Sequence, residues 1–326
     1  MSARGPLSTR GPLFLAGTDR SGIGLLGELL EEHPEIAVTR RINFWSFYYN
    51  RYGDLADPAN LDRCLADMMR YTRIKRLQPQ PERLRADFQD GEMTYARLFA
   101  LLQEQNQRRL GKSRWADKSL NAERYADTIL AAYPTARMVH IIRDPRDRYV
   151  SQATHRGAKK GKIGGGASLW LWSARLAERN QRQHPDRYKV VRYEDLVSAP
   201  EDFLQELCIF VDEPYSPEML RVDQETNSPD EPAARAPREI WTTSVGRYRG
   251  ALSDREVAFM QMVAGQLMAH YGYQPEALLL SGSARLTFYV KDIPLNLARL
   301  LISRSQAGIK ERVGRMPSAR RLALAS

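Results

Sequence analysis

Long apolar runs and cysteines are both scarce in this chain of 326 residues, and each shortage excludes a class of protein. No run reaches the ~18 apolar residues of a membrane-spanning helix, so the sequence predicts no transmembrane segment. Residues 12–16 are too short for the apolar core of a signal peptide, and a charged, glycine-containing loop follows them. Cys64 and Cys208 are too few for a disulfide framework, so we interpret them as reduced thiols of a cytoplasmic protein.

Positive charge is in excess, and it is concentrated at one end of the chain. The net charge is +10, from 49 Lys and Arg against 39 Asp and Glu. The residues from Arg285 onward carry a net +7, which leaves +3 for the rest of the chain. The excess is therefore a property of the tail. No RNA- or DNA-binding motif and no basic-aromatic platform occurs, so we predict no nucleic-acid partner.

Short apolar runs alternate with helical patterns along most of the chain. Residues 13–16, 136–142 and 188–192 are predicted strands, and long helical stretches separate them. This alternation predicts an α/β fold built from right-handed βαβ units, with a central parallel sheet flanked by helices. In such a fold we expect ligands to bind at the carboxyl ends of the strands.

The domain organisation follows from the same patterns. An N-terminal extension (1–11) precedes one domain (12–275), and a basic tail (276–326) follows it. Two segments are predicted loops: 157–166, with three Lys and five Gly, and 212–237, rich in Pro, Asp and Glu. The tail is predicted to be a basic amphipathic helix. Its role is left open among four alternatives. The tail contacts an anionic membrane, packs on the domain, pairs with a second subunit as a homodimer, or is disordered.

Residues 13–24 combine a strand, a glycine-containing turn and a helix start. That arrangement directs several backbone N–H groups and the positive end of a helix dipole at one place, which favours phosphate binding. The turn adds three polar side chains: Thr18, Arg20 and Ser21. Gly17 and Gly22 have the spacing of a Walker A loop, but Ile23 and Gly24 stand where its Lys and its Ser or Thr belong. ATP chemistry is therefore poorly supported, and an ordinary tight turn is the other interpretation.

A second candidate anion site follows the predicted strand at 136–142. Arg143 leaves that strand, Asp144–Asp147 supplies a turn and a helix start, and Ser151 lies about one and a half turns into the helix. Arg143 and Ser151 can then meet on one phosphate. Taken alone, the segment also fits a surface salt-bridge cluster. Two anion sites at two strand ends together predict a nucleotide that carries phosphates at both ends.

Five stretches, in this order within residues 12–275, resemble the family of 3′-phosphoadenylyl sulfate (PAPS) dependent sulfotransferases. They are Gly17–Gly22 with the following Leu25, Leu26, His33 and Pro34; Asp117-Lys118-Ser119; Ile142–Asp147 with Ser151; Arg192–Leu196 with Pro200; and Ser244–Arg249. Each stretch is moderately specific, and five in the correct order are strong. The resemblance implies a bacterial-type, P-loop-like three-layer fold, with PAPS as the sulfuryl donor and no metal.

The resemblance also implies roles for individual residues. Arg20 would bind the 5′-phosphosulfate. The loop around it would be lined by Gly17, Thr18, Ser21, Gly22, Ile23 and Gly24. Arg143 and Ser151 would bind the 3′-phosphate, and Tyr193 would lie near the adenine. The fifth stretch, Ser244–Arg249, is called the late segment below. Two of its residues, Arg247 and Tyr248, would close over the site.

The reaction that this family implies is in-line transfer of SO₃ from PAPS to a hydroxyl or amine of a glycan, glycolipid or small molecule. Positioning and charge stabilisation dominate such a transfer. Arg20, helped by Lys118, would stabilise the leaving phosphate. Two rival interpretations are a P-loop-type nucleotide kinase and a non-catalytic protein that binds a nucleotide or a membrane surface.

The general base is harder to assign. Bacterial relatives carry a carboxylate in an E-x-H-F-F-like stretch, where this chain has Arg40, Arg41 and Asn43. The candidates for the base are Asp117, Asp54, His155 and His140. For Asp117, Asp54 and His140 a structural role is the alternative. The two arginines suggest the hypothesis of an anionic acceptor, and a solvated surface is the other interpretation. The aromatic residues at 44–52 are predicted either to line an acceptor pocket or to pack in the core. The segment 159–162 is predicted to be either a mobile lid or a solvated loop.

Overall fold

The centre of the fold is a sheet of five parallel strands. A computed structural model of the chain describes residues 10–155, 162–221 and 242–313. The strands follow the spatial order β2-β3-β1-β4-β5. Their bounds are β1 Leu13–Ala16, β2 Ile36–Arg40, β3 Arg114–Lys118, β4 Arg137–Ile142 and β5 Tyr188–Arg192. The predicted α/β fold with a central parallel sheet is confirmed, and two strands, β2 and β3, add to the three predicted ones.

Helices cover both faces of the sheet. Their bounds are α1 Ile23–Glu31, α2 Phe44–Phe47, α3 Pro58–Arg70, α4 Thr72–Lys75, α5 Pro81–Gln89, α6 Tyr95–Arg109, α7 Ala126–Ala132, α8 Pro145–His155, α9 Ile163–Gln183, α10 Tyr193–Ser198, α11 Pro200–Val211, α12 Tyr248–Ala251, α13 Asp254–His270, α14 Gly282–Thr287 and α15 Ile293–Val313. Short 3₁₀ turns lie at Ala122–Tyr125, Pro217–Leu220 and Thr242–Ser244, and a π-helical turn at Phe288–Asp292 joins α14 to α15. Of the predicted loop at 212–237, residues 222–237 lie outside the described residues.

Two apolar layers hold the sheet, one on each face. Alternate residues of β1 divide between them: Leu13 and Leu15 pack with α1 and α11, whereas Phe14 and Ala16 pack with α3, α5 and α6. All four side chains are buried. A strand that is buried on both faces has a continuous apolar sequence, which is why β1 can be predicted.

Strands β2 and β3 depart from that pattern because they bury polar side chains. Arg114, at the start of β3, forms a buried ion pair with Glu213 (2.9 Å). Lys118, at its end, packs its aliphatic stem against Gly27 of α1. Such residues find their partners only in the folded chain, so periodicity alone does not mark these segments as strands.

The predicted loop at 157–166 is wrong for its last residues. Helix α9 begins at Ile163, so the glycines at 164–166 lie in its first turn. A Cβ at Gly164 would overlap the backbone of Asn296 in α15, and one at Gly166 would overlap the ring of Tyr149. These glycines therefore serve close packing of helices rather than a loop. Residues 156–161, and with them most of the predicted lid, lie outside the described residues.

The tail helices pack on the domain. Helix α15 lies along α9. Phe288 and Leu300 join the apolar cluster that α9 and α13 form. Packing, one of the interpretations of the tail, therefore applies to the segment from Phe288 to Leu300. Residues 314–326 lie outside the described residues. In the described parts of the chain, every helix is too short or too polar to span a lipid bilayer.

Candidate active site

The carboxyl ends of the five strands meet at one edge of the sheet, and the loop after β1 lies in the middle of it. Strand β1 pairs with β3 on one side and with β4 on the other. β1 is therefore the point where the strand order reverses, and open α/β sheets bind ligands at that point. The residues predicted for the site follow or end β1, β3, β4 and β5, so the topology gathers most of them at this edge.

The segment between β1 and α1 has the backbone of an anion-binding loop. Gly17 and Gly22 have φ values of 146° and 98°, and Arg20 between them has a φ of 68°. Helix α1 begins at Ile23, directly after the loop, so its first N–H groups are available to a ligand there. Gly22 has a second constraint, because a Cβ would overlap the ring of Tyr193.

The two predicted phosphate segments contact each other. Arg20 Nε donates a hydrogen bond to Ser151 Oγ (3.0 Å), and Arg143 Nη1 donates one to the carbonyl oxygen of Arg20 (3.5 Å). Residues predicted for opposite ends of the nucleotide are thus neighbours in this structure. The Ser151 hydroxyl holds the Arg20 guanidinium in place beside α8.

Arg143 is buried and stacks on an aromatic ring. Its guanidinium carbon lies 4.4 Å from the ring centroid of Tyr193, and its Nη2 donates to the carbonyl oxygen of Ser244 (2.6 Å). The hydroxyls of Tyr193 and Ser244 lie 2.6 Å apart. Trp170 Nε1 donates to the carbonyl oxygen of Arg143 (2.8 Å), which fixes the exit of β4. Arg143 and Tyr193 therefore form one unit with the late segment.

Asp147 anchors the late segment to α8. Its carboxylate accepts hydrogen bonds from the backbone N–H groups of Gly246 (2.6 Å) and Tyr248 (2.9 Å). Tyr248 is buried, whereas Arg247 is exposed. The structure thus holds Tyr248 against the helix that follows β4, and the closing role of Arg247 stays a prediction.

Arg148 belongs to the site although no sequence signal singles it out. Its side chain is fully buried, its Nε donates to Thr18 Oγ1 (2.9 Å), and its Nη1 donates to the carbonyl oxygen of Gly166 (3.4 Å). A buried guanidinium beside the loop adds positive charge where the sequence predicts an anion. Arg148 stands in a run of charged residues that all look solvent-exposed by pattern, so its burial emerges only from the fold.

Asp117 and Lys118 are neighbours in β3 and point to opposite faces of the sheet. The Asp117 carboxylate is fully buried and accepts hydrogen bonds from Thr39 Oγ1 (3.3 Å) and Ser119 Oγ (3.1 Å). Burial raises the pKa of Asp117 to about 7. Burial, together with nearby arginines, lowers the pKa of Lys118 to about 7. The candidate base and the predicted helper of Arg20 therefore lie on opposite faces of the sheet, and their roles stay predictions.

Two other candidates for the base, Asp54 and His140, have structural partners. Asp54 accepts a hydrogen bond from the backbone N–H two residues later (2.9 Å) in an exposed turn. His140 is buried between the hydroxyls of Tyr188 (2.7 Å) and Ser173 (3.0 Å), and burial lowers its pKa. Both have the structural roles predicted as alternatives. The side chain of His155 lies outside the described residues.

The turn after β2 is fixed beside β3. Arg41 and Asn43 have φ values of 57° and 51°, which are uncommon for residues other than glycine. The Arg41 N–H donates to the carbonyl oxygen of Lys118 (2.7 Å), and Tyr71 Oη donates to the carbonyl oxygen of Arg41 (2.9 Å). The turn therefore presents Arg41 at the strand edge in a fixed conformation. The aromatic residues after it pack into the core: Phe44, Trp45 and Tyr48.

Among the described residues, no group of three or more His, Cys, Asp or Glu side chains is placed to hold a metal ion.

Comparison with known proteins identifies the family. A model of the sulfotransferase family matches residues 12–217. The chain belongs to that family. No curated protein matches this sulfotransferase.

Two solved structures are similar to this sulfotransferase. The sulfotransferase domain of the olefin synthase from Synechococcus PCC 7002 is 20% identical, with a TM-score of 0.52 over 82% of this chain and 97% of that one. The sulfotransferase domain from the curacin biosynthetic pathway is 18% identical, with a TM-score of 0.52 over 82% of this chain and 99% of that one. The likenesses confirm the predicted P-loop-like fold. The family match confirms a sulfotransferase rather than a nucleotide kinase.

Proposed function

We propose that this sulfotransferase transfers a sulfuryl group from PAPS to a hydroxyl or amine of a glycan, glycolipid or small-molecule acceptor. One observation carries the proposal. Ser21 Oγ in the loop after β1 and Arg143 Nε after β4 are both buried without a hydrogen-bond partner among the described residues. A buried donor left unsatisfied costs about 1–3 kcal/mol, so these atoms fit a site that an anion fills.

PAPS, when bound, supplies the sulfuryl group and leaves as adenosine 3′,5′-bisphosphate. The residues present fit both of its phosphates. The first N–H groups of α1, the Arg20 guanidinium and the Ser21 hydroxyl would hold the 5′ side. Arg143 and Ser151 would hold the 3′-phosphate, with the Ser151 hydroxyl donating to it while accepting from Arg20 Nε. Tyr193, which stacks on Arg143, would lie against the adenine.

We assign charge stabilisation on the leaving 5′-phosphate to Arg20. A guanidinium aimed at the oxygen where charge develops lowers the barrier of such a transfer. Lys118 is the weaker contributor, because burial lowers its pKa to about 7 and leaves it partly neutral at physiological pH. Its stem also packs under Gly27 of α1 rather than against the loop.

We assign positioning, not proton transfer, to Asp117. Its carboxylate accepts from Ser119 Oγ (3.1 Å), and the same Oγ accepts from the Asn43 N–H (3.1 Å). The chain of bonds ties β3 to the turn that carries Arg41. A fully buried carboxylate has no direct access to an acceptor hydroxyl, but it can fix the side of the site where the acceptor lies.

The acceptor, in this proposal, carries a negative group that Arg41 binds. The Arg41 side chain makes no hydrogen bond or ion pair within the described parts of the chain, whereas Arg40 beside it pairs with Glu31. Strand β2 lies two strands from β1, which places Arg41 about 10 Å from the loop. Arg41→Ala should raise the acceptor KM and leave nucleotide affinity unchanged. An unchanged acceptor KM would remove the hypothesis.

The proposed reaction is tested by incubating the purified protein and PAPS with cell extract, and searching by mass spectrometry for species that gain SO₃. We expect sulfated products with the wild-type protein and none with Arg143→Gln. Labelled ATP should yield no phosphorylated product. Tight binding of adenosine 3′,5′-bisphosphate without transfer across a broad acceptor panel would support the non-catalytic rival instead.

A further inference from the structure

The C-terminal helices carry an apolar stripe that the domain leaves uncovered. Leu286, Val290 and Leu301 have relative exposures of 66%, 69% and 62%. Leu297 (39%) lies four residues before Leu301, and Tyr289 (62%) lies beside Val290. Residues three or four apart share one face of a helix, so these side chains form a stripe along α14 and α15. Large apolar side chains gathered on one exposed face mark an interaction surface.

Cations without partners border the stripe. Arg285, Lys291 and Arg304 lie on the same segment, and Arg175 of α9 lines a groove with Arg304 and Leu300. All four cations are exposed, and they make no hydrogen bond or ion pair within the described parts of the chain. This surface is thus apolar along its middle and positive at its margins.

The acids of the segment do not offset this charge. Residues 276–305 contain two carboxylates, and each is already paired. Glu276 pairs with Arg249 (2.6 Å) and Asp292 pairs with Arg255 (3.1 Å). The positive margin of the stripe therefore has no counter-charge of its own in this segment.

We propose that this stripe and its cations dock the protein on an anionic lipid surface. Apolar side chains enter the boundary between headgroups and acyl chains, while Lys and Arg bind acidic headgroups. A second copy of the chain fits less well, because it would bring two tails of net +7 together. The acidic segment 222–241 of the chain has only three large apolar residues to offer the stripe: Val222, Ile240 and Trp241. The inference is independent of the proposed sulfuryl transfer.

The test is co-sedimentation of the full chain with vesicles of phosphatidylcholine, with and without phosphatidylglycerol. We expect binding to the phosphatidylglycerol vesicles alone, and less binding as salt is raised. Val290→Ser with Leu301→Ser should lower the partition coefficient at least ~10-fold. Replacing Arg285, Lys291 and Arg304 by Gln should lower it about fivefold for each cation.

The matched control is Leu110→Ser with Ile209→Ser, since these residues are also exposed (42% and 79%) but lie elsewhere, directly after α6 and on α11. This pair should bind vesicles as the wild type does. Binding of adenosine 3′,5′-bisphosphate should be unchanged in every variant, which verifies folding. No binding to acidic vesicles, equal binding to both vesicle types, or a wild-type dimer that the Val290/Leu301 pair dissociates would each overturn the proposal.

Discussion

Two segments of this sulfotransferase contain closely spaced glycines and use them in different ways. In the loop after β1, Gly17 and Gly22 adopt positive φ values of 146° and 98°. At the start of α9, Gly164 and Gly166 lie in a regular helix, and a Cβ at either would overlap a neighbouring element. The first pair shapes backbone for an anion, and the second pair lets helices approach closely.

The difference shows that a glycine in a sequence can indicate either an unusual backbone conformation or close packing between elements. Because glycine has no side chain, it permits both unusual φ values and close approach of a neighbouring element. The presence of glycine in a sequence does not show which of these two a position requires. The loop after β1 can be recognised because a strand precedes it and a helix follows it within twelve residues. The run at 164–166 has no such frame, since its partners, Tyr149 and Asn296, are distant along the chain.

The largest expected effect tests the anion site of the first segment. Arg20→Gln should lower kcat/KM for PAPS about 10²- to 10³-fold, because a neutral amide stabilises the leaving phosphate poorly. Steady-state kinetics with the sulfated product measured directly would check this. Arg70→Gln, at a surface arginine that pairs with Asp67 (3.2 Å), is the control and should be silent. An Arg20→Gln enzyme close to wild-type activity would mean that the loop does not hold the 5′ side.

Gly22→Ala tests backbone shape in the same segment. The positive φ and the ring of Tyr193 both oppose a Cβ at this position, so the Kd for adenosine 3′,5′-bisphosphate should rise at least ~10-fold. Calorimetry would give the value. Gly111→Ala is the matched control, because Gly111 also has a positive φ (69°), a Cβ there meets no atom within 4 Å, and the residue precedes β3 at the other end of the sheet. Equal affinities for the two variants would show that Gly22 has no special role.

Gly164→Ala tests the packing role of the second segment. A Cβ there would overlap Asn296 in α15, so the free energy of unfolding should fall by about 1–3 kcal/mol. Gly165→Ala has open space around its Cβ and should stabilise α9 by up to about 1 kcal/mol. Urea unfolding distinguishes the two. A stabilised Gly164→Ala would mean that α15 does not approach α9 at this point.

The sequence predicts the nucleotide side of the site well because its determinants are local. The strand, turn and helix start around Arg20 and around Arg143 each lie within about a dozen residues, where periodicity and capping rules apply. The P-loop-like fold follows from the same segments, and the comparisons confirm it. The functional roles of the individual residues stay predictions.

The rest could not be predicted because it depends on contacts between distant residues. Strand β3 buries Arg114 against Glu213, about a hundred residues away along the chain. Arg148 reaches Thr18 from α8, and no residue near Arg148 in sequence indicates its burial. The acceptor side is made of such contacts, and this is why its base cannot be assigned from motifs.

The smallest expected effect concerns Asp117, in the strand that pairs with β1 beside the first segment. Burial raises the pKa of Asp117 from 3.8 to about 7. Between these values the folded protein keeps a proton that the unfolded chain has lost. Stability should therefore fall as pH rises, by about 1.4 kcal/mol per pH unit from pH 5 to pH 6.

Asp117→Asn isolates this contribution, because asparagine has no proton to lose. Other groups titrate in the same range, and burial of His140 acts in the opposite direction by lowering its pKa. They are shared by both proteins and cancel in the difference between the wild type and the variant. Urea unfolding at pH 5 and at pH 6 measures that difference. If it does not change with pH, Asp117 is ionised in the folded protein, and a carboxylate available as a base would replace the positioning role proposed here.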